Sequence, residues 1–119
     1  MRTVSAADID RVLDYPELMA ALREAFAGTV TAPVRHHHMI PRAGAEAILI
    51  LMPAWQDAAT HGGFIGVKIV SVFPDNATRM KPSVMGSYLL LAGDSGEPLA
   101  TLDGVTLTLW RTAATSALV

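Results

Sequence analysis

Apolar positions along this chain change their period close to residue 30 and again near residue 104. Ser5-Ala6-Ala7-Asp8 reads as a helix start, with the Ser5 hydroxyl placed to accept a first-turn amide near Asp8. Ile9, Val12 and Leu13 then fall on one face. Asp14-Tyr15-Pro16-Glu17 restarts the helix, because proline is tolerated in a first turn and Glu17 suits the positive end of the helix dipole. Leu18, Leu22 and Phe26 recur at i, i+4 and i+8, and Gly28 supplies the stop. These are two amphipathic helices, each with a face to bury.

After Gly28 the pattern shortens. Residues 33–40, 47–52, 64–73, 84–91 and 98–103 are short runs of apolar and β-branched residues broken by Gly, Pro and Asp, which predicts strands. Gly93-Asp94-Ser95-Gly96 between two of them is a hairpin turn, since Gly and Asp tolerate positive φ. Strands joined by short loops with no helix between them pair antiparallel. The two longest gaps, 55–63 and 74–82, are expected at an open rim. Residues 105–119 return to a helical period, capped by Asp103 or Gly104. Leu107, Trp110, Ala114 and Leu118 form one stripe, and Thr108, Arg111, Thr112 and Thr115 the other. The expected fold is one α+β domain over residues 1–119, with paired amino-terminal helices on a mainly antiparallel sheet and a long closing helix. No internal repeat or low-complexity tract interrupts it.

Composition changes this picture in one respect. Apolar residues make up 51% of the chain and charged residues 17%, rather greasy for a small free-standing body that must cover a large surface. Some apolar surface is therefore expected to meet a partner subunit or a further domain. The net charge of −2 comes with no Lys/Arg block, so neither nucleic acid nor an anionic membrane is an expected partner. Cysteine is absent, which rules out disulfides and thiolate chemistry. The first residues reach an acidic side chain before any apolar run, unlike a signal peptide, and apolar stretches such as 47–54 are too short to cross a bilayer. The expectation is a soluble cytoplasmic protein.

Three cations stand out. Lys68 sits in Phe64-Ile65-Gly66-Val67-Lys68-Ile69-Val70, where both faces look buried, so its ammonium must find an anion or give up its proton more readily. The plainer reading is an edge-strand lysine whose stem covers apolar surface. Arg111 lies among threonines on the polar stripe of the last helix. It is either a solvated helical arginine or, on a hydroxyl-lined surface without Glu or Lys, a ligand for carboxylate or phosphate. Arg35 precedes His36-His37-His38; alternation sets His36 and His38 on one face, Arg35 and His37 on the other. A metal site would need a third ligand, and no Cys or nearby carboxylate accompanies the triplet, so no metal is expected. The chain has no G-x-G-x-x-G, no phosphate-binding G-x-x-x-x-G-K-[ST] and no G-x-S-x-G. Gly62-Gly63 and Gly86 read as turn or packing glycines. Ser83, Ser87 and Ser116 have no base beside them, leaving nucleophilic catalysis without support.

Leu51-Met52-Pro53-Ala54, Gly66-Val67-Lys68, Pro82-Ser83-Val84, Gly96-Glu97-Pro98-Leu99, Leu102-Asp103-Gly104 and the closing Trp110-Arg111-Thr112-Ala113-Ala114-Thr115-Ser116-Ala117 occur in an order and spacing that resembles the ornithine cyclodeaminase/mu-crystallin family. The resemblance covers nearly the whole chain and implies a homodimer that uses NAD(H) or NADP(H). Such dimers include ornithine cyclodeaminase, alanine dehydrogenase, ketimine and pyrroline-2-carboxylate reductases and the hormone-binding mu-crystallin. It also implies an α+β domain whose sheet supplies the dimer contact and the substrate pocket, followed by a nucleotide-binding domain that would begin where this sequence stops. On that basis the 119 residues are expected to be a fragment, inactive alone.

The same resemblance assigns residues. Arg35, Lys68 and Arg111 would hold the carboxylate of a small amino, oxo or imino acid, with Lys68 also catalytic. Ser83 would touch the substrate, and Arg111 with Thr112 would approach the cofactor phosphates. Ile50 stands where ornithine-processing members carry an acid before Met-Pro, so a smaller or apolar acid is expected rather than ornithine. Two further readings stay open: a non-catalytic small-ligand-binding module, and a dimerisation module.

Overall fold

The computed structural model describes residues 1–57 and 63–117, apart from the side chains of Phe26 and Ala117. Part of the 55–63 gap, Gly62 and Leu118 thus lie outside the described residues. Seven strands make one sheet: β1 (Arg2–Val4), β2 (Val30–Thr31), β3 (His36–Ile40), β4 (Ala47–Gln56), β5 (Phe64–Val72), β6 (Val84–Ala92) and β7 (Pro98–Asp103). Three helices accompany it, α1 (Ala6–Val12), α2 (Tyr15–Ala27) and α3 (Gly104–Ala117). The sheet order is β1-β7-β6-β5-β4-β2, with β3 also paired to β4. Every pairing is antiparallel except β1 on β7. The fold is α+β, as the periodicity predicts.

The helix starts follow from local hydrogen bonding. Ser5 Oγ accepts from the Asp8 amide and the Asp8 carboxylate accepts from the Ser5 amide, each at 3.2 Å, a reciprocal cap. Asp14 accepts from the Glu17 amide at 2.8 Å, and Asp103 from the Thr106 amide at 2.9 Å. Val12 departs from expectation: α1 ends there, and its side chain is 68% exposed while Ile9 is buried. At the hairpin, Gly96 takes φ 73° and donates to the Ala92 carbonyl at 2.9 Å.

Three strand features escape a reading of periodicity. β1 and β2 are too short to alternate visibly; each forms by adding to a strand edge. β4 runs on through Pro53 to Gln56 rather than ending at Met52. β2 ends opposite Trp55 and β3 begins opposite Leu51, so Pro53 falls in the gap between them. A strand tolerates a residue with no N–H to give at such an unpaired stretch. The 74–82 gap is also ordered, as a 3-10 helix (Pro74–Arg79) tied down by Asn76, which donates to the Pro82 carbonyl at 3.0 Å.

The helices lie on one side of the sheet. α3 packs against β5, β6 and β7, α1 against β7 and α3, and α2 against α3. Trp110 binds the three helices together: its indole N–H donates to Asp10 at 2.7 Å and its ring lies 4.7 Å from that of Tyr15. The start of α3 is pressed onto β6 at a glycine pair. A Cβ on Gly104 would come within 2.7 Å of the Gly86 carbonyl carbon and 2.8 Å of the Ser87 nitrogen. Because that obstacle is backbone, Gly104→Ala is expected to lift α3 from the sheet and cost about 1–3 kcal/mol in chemical denaturation. An unchanged midpoint would show that α3 is not seated on this contact.

All three α-helices leave the opposite sheet side to other parts of the chain, although Ala47 on that side is fully buried. Ile9, Ala47, Val70 and Ala114 are the buried apolar residues among those described, and no large side chain is fully buried. Leu49, Leu51 and Pro53 of β4, Ile65, Val67 and Ile69 of β5, and Leu89 and Leu91 of β6 share that open side by register. The excess of apolar residues therefore has a location.

Candidate functional site

Register sets out the floor of the site. β3 begins at His36 rather than at residue 33, with His36 paired to Leu51 and His37 to Ile50, so Arg35 lies just before the strand, next to its Leu51 end. Met52 pairs with Lys68, Lys68 with Tyr88 and Tyr88 with Leu102. Met52, Lys68 and Tyr88 thus belong to one row across the sheet, on the side where α3 packs, and Arg35 stands outside that row, just before β3. His36 and His38 project to the opposite side, ring centres 6.0 Å apart, as alternation predicts.

β5 lies between β4 and β6, so Lys68 is not on an edge strand. Nor are both faces of its strand covered, as the apolar sequence had implied; helices shield only the Lys68 side. Arg111 arrives from above. With Trp110 held against α1 and α2, the next residue is turned about 100° round the helix, away from that contact.

The Lys68 ammonium is held below its ordinary value of 10.5, first by desolvation and then by the positive charges of Arg111 and Arg35. Both guanidiniums therefore act on Lys68, although the three residues are spread over most of the chain. Among the described residues the only ion pair is Arg11 with Asp8, at the far helix α1. Among the described residues no carboxylate forms an ion pair with any of the three cations. A cavity of about 150 Å³ opens beside Lys68, walled by Val70, Val84, Gly86, Thr108 and Leu109. It is small and apolar, with Lys68 as its charged member. A larger hollow of about 580 Å³, lined by Ile69, Ser71, Met85, Ser87 and Asp103 among others, holds a carboxylate and no cation, so its charge disfavours an anion.

The remaining sequence candidates stand further off. Ser83 precedes β6; its carbonyl accepts from the Phe73 amide at 2.8 Å, closing the base of the 74–82 loop. Its neighbour Val84 lines the Lys68 cavity and Ser83 does not. Thr112 is exposed on α3 beside Arg111. Tyr88 was missed from sequence, where it reads as one apolar strand residue among many. The signal that could have found it is Gly66: a glycine inside a strand marks a close approach, here by the Tyr88 ring.

The structure is an α+β lobe in which Lys68 lies between the sheet and α3, under the like charges of Arg35 and Arg111. The sequence matches the ornithine cyclodeaminase/mu-crystallin family over residues 2–119, and the chain belongs to that family. It is 33% identical over 121 residues to a Delta(1)-pyrroline-2-carboxylate reductase of Colwellia psychrerythraea, covering 99% of this chain and 37% of that protein. Its fold superposes on the Delta(1)-pyrroline-2-carboxylate reductase of Thermococcus litoralis, solved with NADH and L-proline, with a TM-score of 0.76 and 27% identity, covering 98% of this chain and 36% of the other. An archaeal alanine dehydrogenase dimer with bound NAD gives 0.75 and 26%, covering 97% and 34%. The chain thus spans little more than a third of the length of these relatives. No helix among the described residues is long and apolar enough to cross a membrane.

Proposed function

We propose that this chain is the substrate-binding part of an NAD(P)-dependent reductase or dehydrogenase of small amino or imino acids, working with a nucleotide-binding domain. What supports this reading is that the positive charges of Arg35 and Arg111 both act on Lys68, while among the described residues no carboxylate pairs with any of the three. Such a cluster stabilises an incoming acid and costs the ligand-free protein. Lys68, Arg35 and Arg111 hold the carboxylate, and Lys68 is the one group of the three that can also give a proton. Fixing the acid presents its α-carbon to the nicotinamide, so the contribution of this lobe is mainly positioning. Ser83 borders the substrate from the base of β6. Arg111 and Thr112, on the exposed face of α3, lie towards the cofactor phosphates. Ile50 on the floor of the site gives a substrate amine no partner, which favours an apolar or cyclic acid over a diamino acid. The open apolar sheet side meets a second copy of the chain.

Acid binding needs the Lys68 ammonium, and its pKa lies below 10.5. Affinity for a carboxylate ligand such as L-proline is therefore expected to be full at neutral pH. It falls as pH rises through that lowered value, earlier than an ordinary lysine would dictate. Folding stability moves the other way. Between the folded value and 10.5 the unfolded chain binds more protons than the folded one, so stability rises with pH across that window. Calorimetric titration from pH 7 to 10.5 checks both signs; an affinity that holds up to 10.5 contradicts the role given to Lys68.

A further inference from the structure

The backbone does not require a glycine at position 86. Gly86 lies inside β6, where a missing side chain costs chain entropy and packs nothing. Its φ is not positive, unlike those of Gly63 and Gly96. The start of α3 does press on β6 here, but the Cβ that this contact forbids is the one at Gly104. A Cβ on Gly86 would meet the Ile69 carbonyl oxygen at 3.5 Å and the Gly104 backbone at 3.7 Å, ordinary van der Waals distances. Alanine would fit.

That Cβ would enter the cavity of about 150 Å³ beside Lys68, which Gly86 and Lys68 line together. Gly86 pairs with Val70 and Val70 with Ile50, so the three form the row next to that of Lys68, on the α3 side. Strand rise sets the two rows about 7 Å apart. The other walls are apolar, with Val84, Val105 and Leu109 exposed around the mouth. Thr108 adds a hydroxyl that already donates to the Gly104 carbonyl at 2.7 Å. Lys68 is thus the one charged group among the lining residues. An apolar cavity of roughly 150 Å³ holds one benzene-sized molecule.

We infer that Gly86 is a specificity-determining residue: its missing side chain keeps open a subsite beside Lys68 for the ring or branched aliphatic chain of the bound acid. This rests on the function proposed above, in which Lys68 holds the carboxylate. An acid anchored there can lay its apolar part over Val70 and Gly86, where nothing polar opposes it and the exposed rim of Val84, Val105 and Leu109 is covered. A strand glycine that neither backbone conformation nor packing demands is explained by the close approach of a ligand.

The test titrates the chain with L-alanine and L-pipecolate at pH 7.5, following backbone amide chemical shifts, which read weak binding as well as tight. Both acids carry an amine and a carboxylate on the α-carbon, and they differ in the apolar bulk that would enter the cavity. Gly86→Ala is expected to weaken L-pipecolate about tenfold and to leave L-alanine within about twofold, roughly the effect of one methyl too many in a filled apolar space. Thr108→Leu fills the same cavity from α3 and is expected to show the same selective loss. If both variants leave the two acids unchanged, or weaken them equally, the cavity is not the subsite. If Gly86→Ala is unfolded by circular dichroism, Gly86 is a packing glycine and its role here is overturned, while Thr108→Leu still reads the subsite. Lys68→Met in parallel separates the two ideas. Loss of both acids there, with no selective loss in Gly86→Ala or Thr108→Leu, retains the site and removes this inference; unchanged binding of both acids in Lys68→Met removes the proposed function as well.

Discussion

Replacing Lys68 by methionine removes carboxylate binding and leaves the chain at least as stable. Methionine preserves the stem that lies beside Val70 and Val84 and deletes only the ammonium. A charge-assisted hydrogen bond lost from a partly desolvated site costs about 3 kcal/mol, on the order of a hundredfold in affinity. The ligand-free protein, by contrast, loses a cation that is desolvated and pressed by two like charges. Thermal unfolding at pH 7 is therefore expected to be unchanged or raised. Titration calorimetry and a melting curve on one preparation read both. Intact affinity would remove Lys68 from the site, and a collapse of stability would make it a structural lysine.

The second large effect concerns the uncovered side of the sheet. Val67 lies at its middle, paired with Pro53 on β4 and Leu89 on β6. If this side meets a second copy, the protein runs in light scattering at twice its 12.6 kDa at micromolar concentration. Val67→Lys is then expected to yield a monomer, because an unpaired ammonium buried between two apolar sheets costs several kcal/mol. In the monomer the same side chain reaches water, so secondary structure should survive. A wild-type monomer, or a Val67→Lys dimer, would show that this surface is covered by something other than its own copy.

Much of the fold was legible because its signals are local. The caps at Ser5, Asp14 and Asp103 depend on residues three positions apart, and the five main strands announce themselves by composition and by the breakers between them. What stayed hidden depends on partners distant in sequence. β1 exists because β7 offers an edge about a hundred residues later. Pro53 can sit inside β4 only because two other strands leave a gap there. The site divides in the same way. Lys68 was conspicuous as a charge in an apolar run, whereas Arg35 and Arg111 gained their significance from family resemblance. Their action on Lys68 is a property of the folded chain alone. Tyr88 was invisible, since nothing in the strand pattern shows which neighbour a ring leans across.

One structure determination bears most directly on the whole account: the crystal structure of this chain with L-proline or pyrrole-2-carboxylate bound. The acid group is expected within hydrogen-bonding distance of Lys68 Nζ and of the Arg35 and Arg111 guanidiniums together, roughly 2.7–3.2 Å from each. A ligand seated elsewhere, or an acid group touching none of the three while they point to separate surfaces, would contradict it.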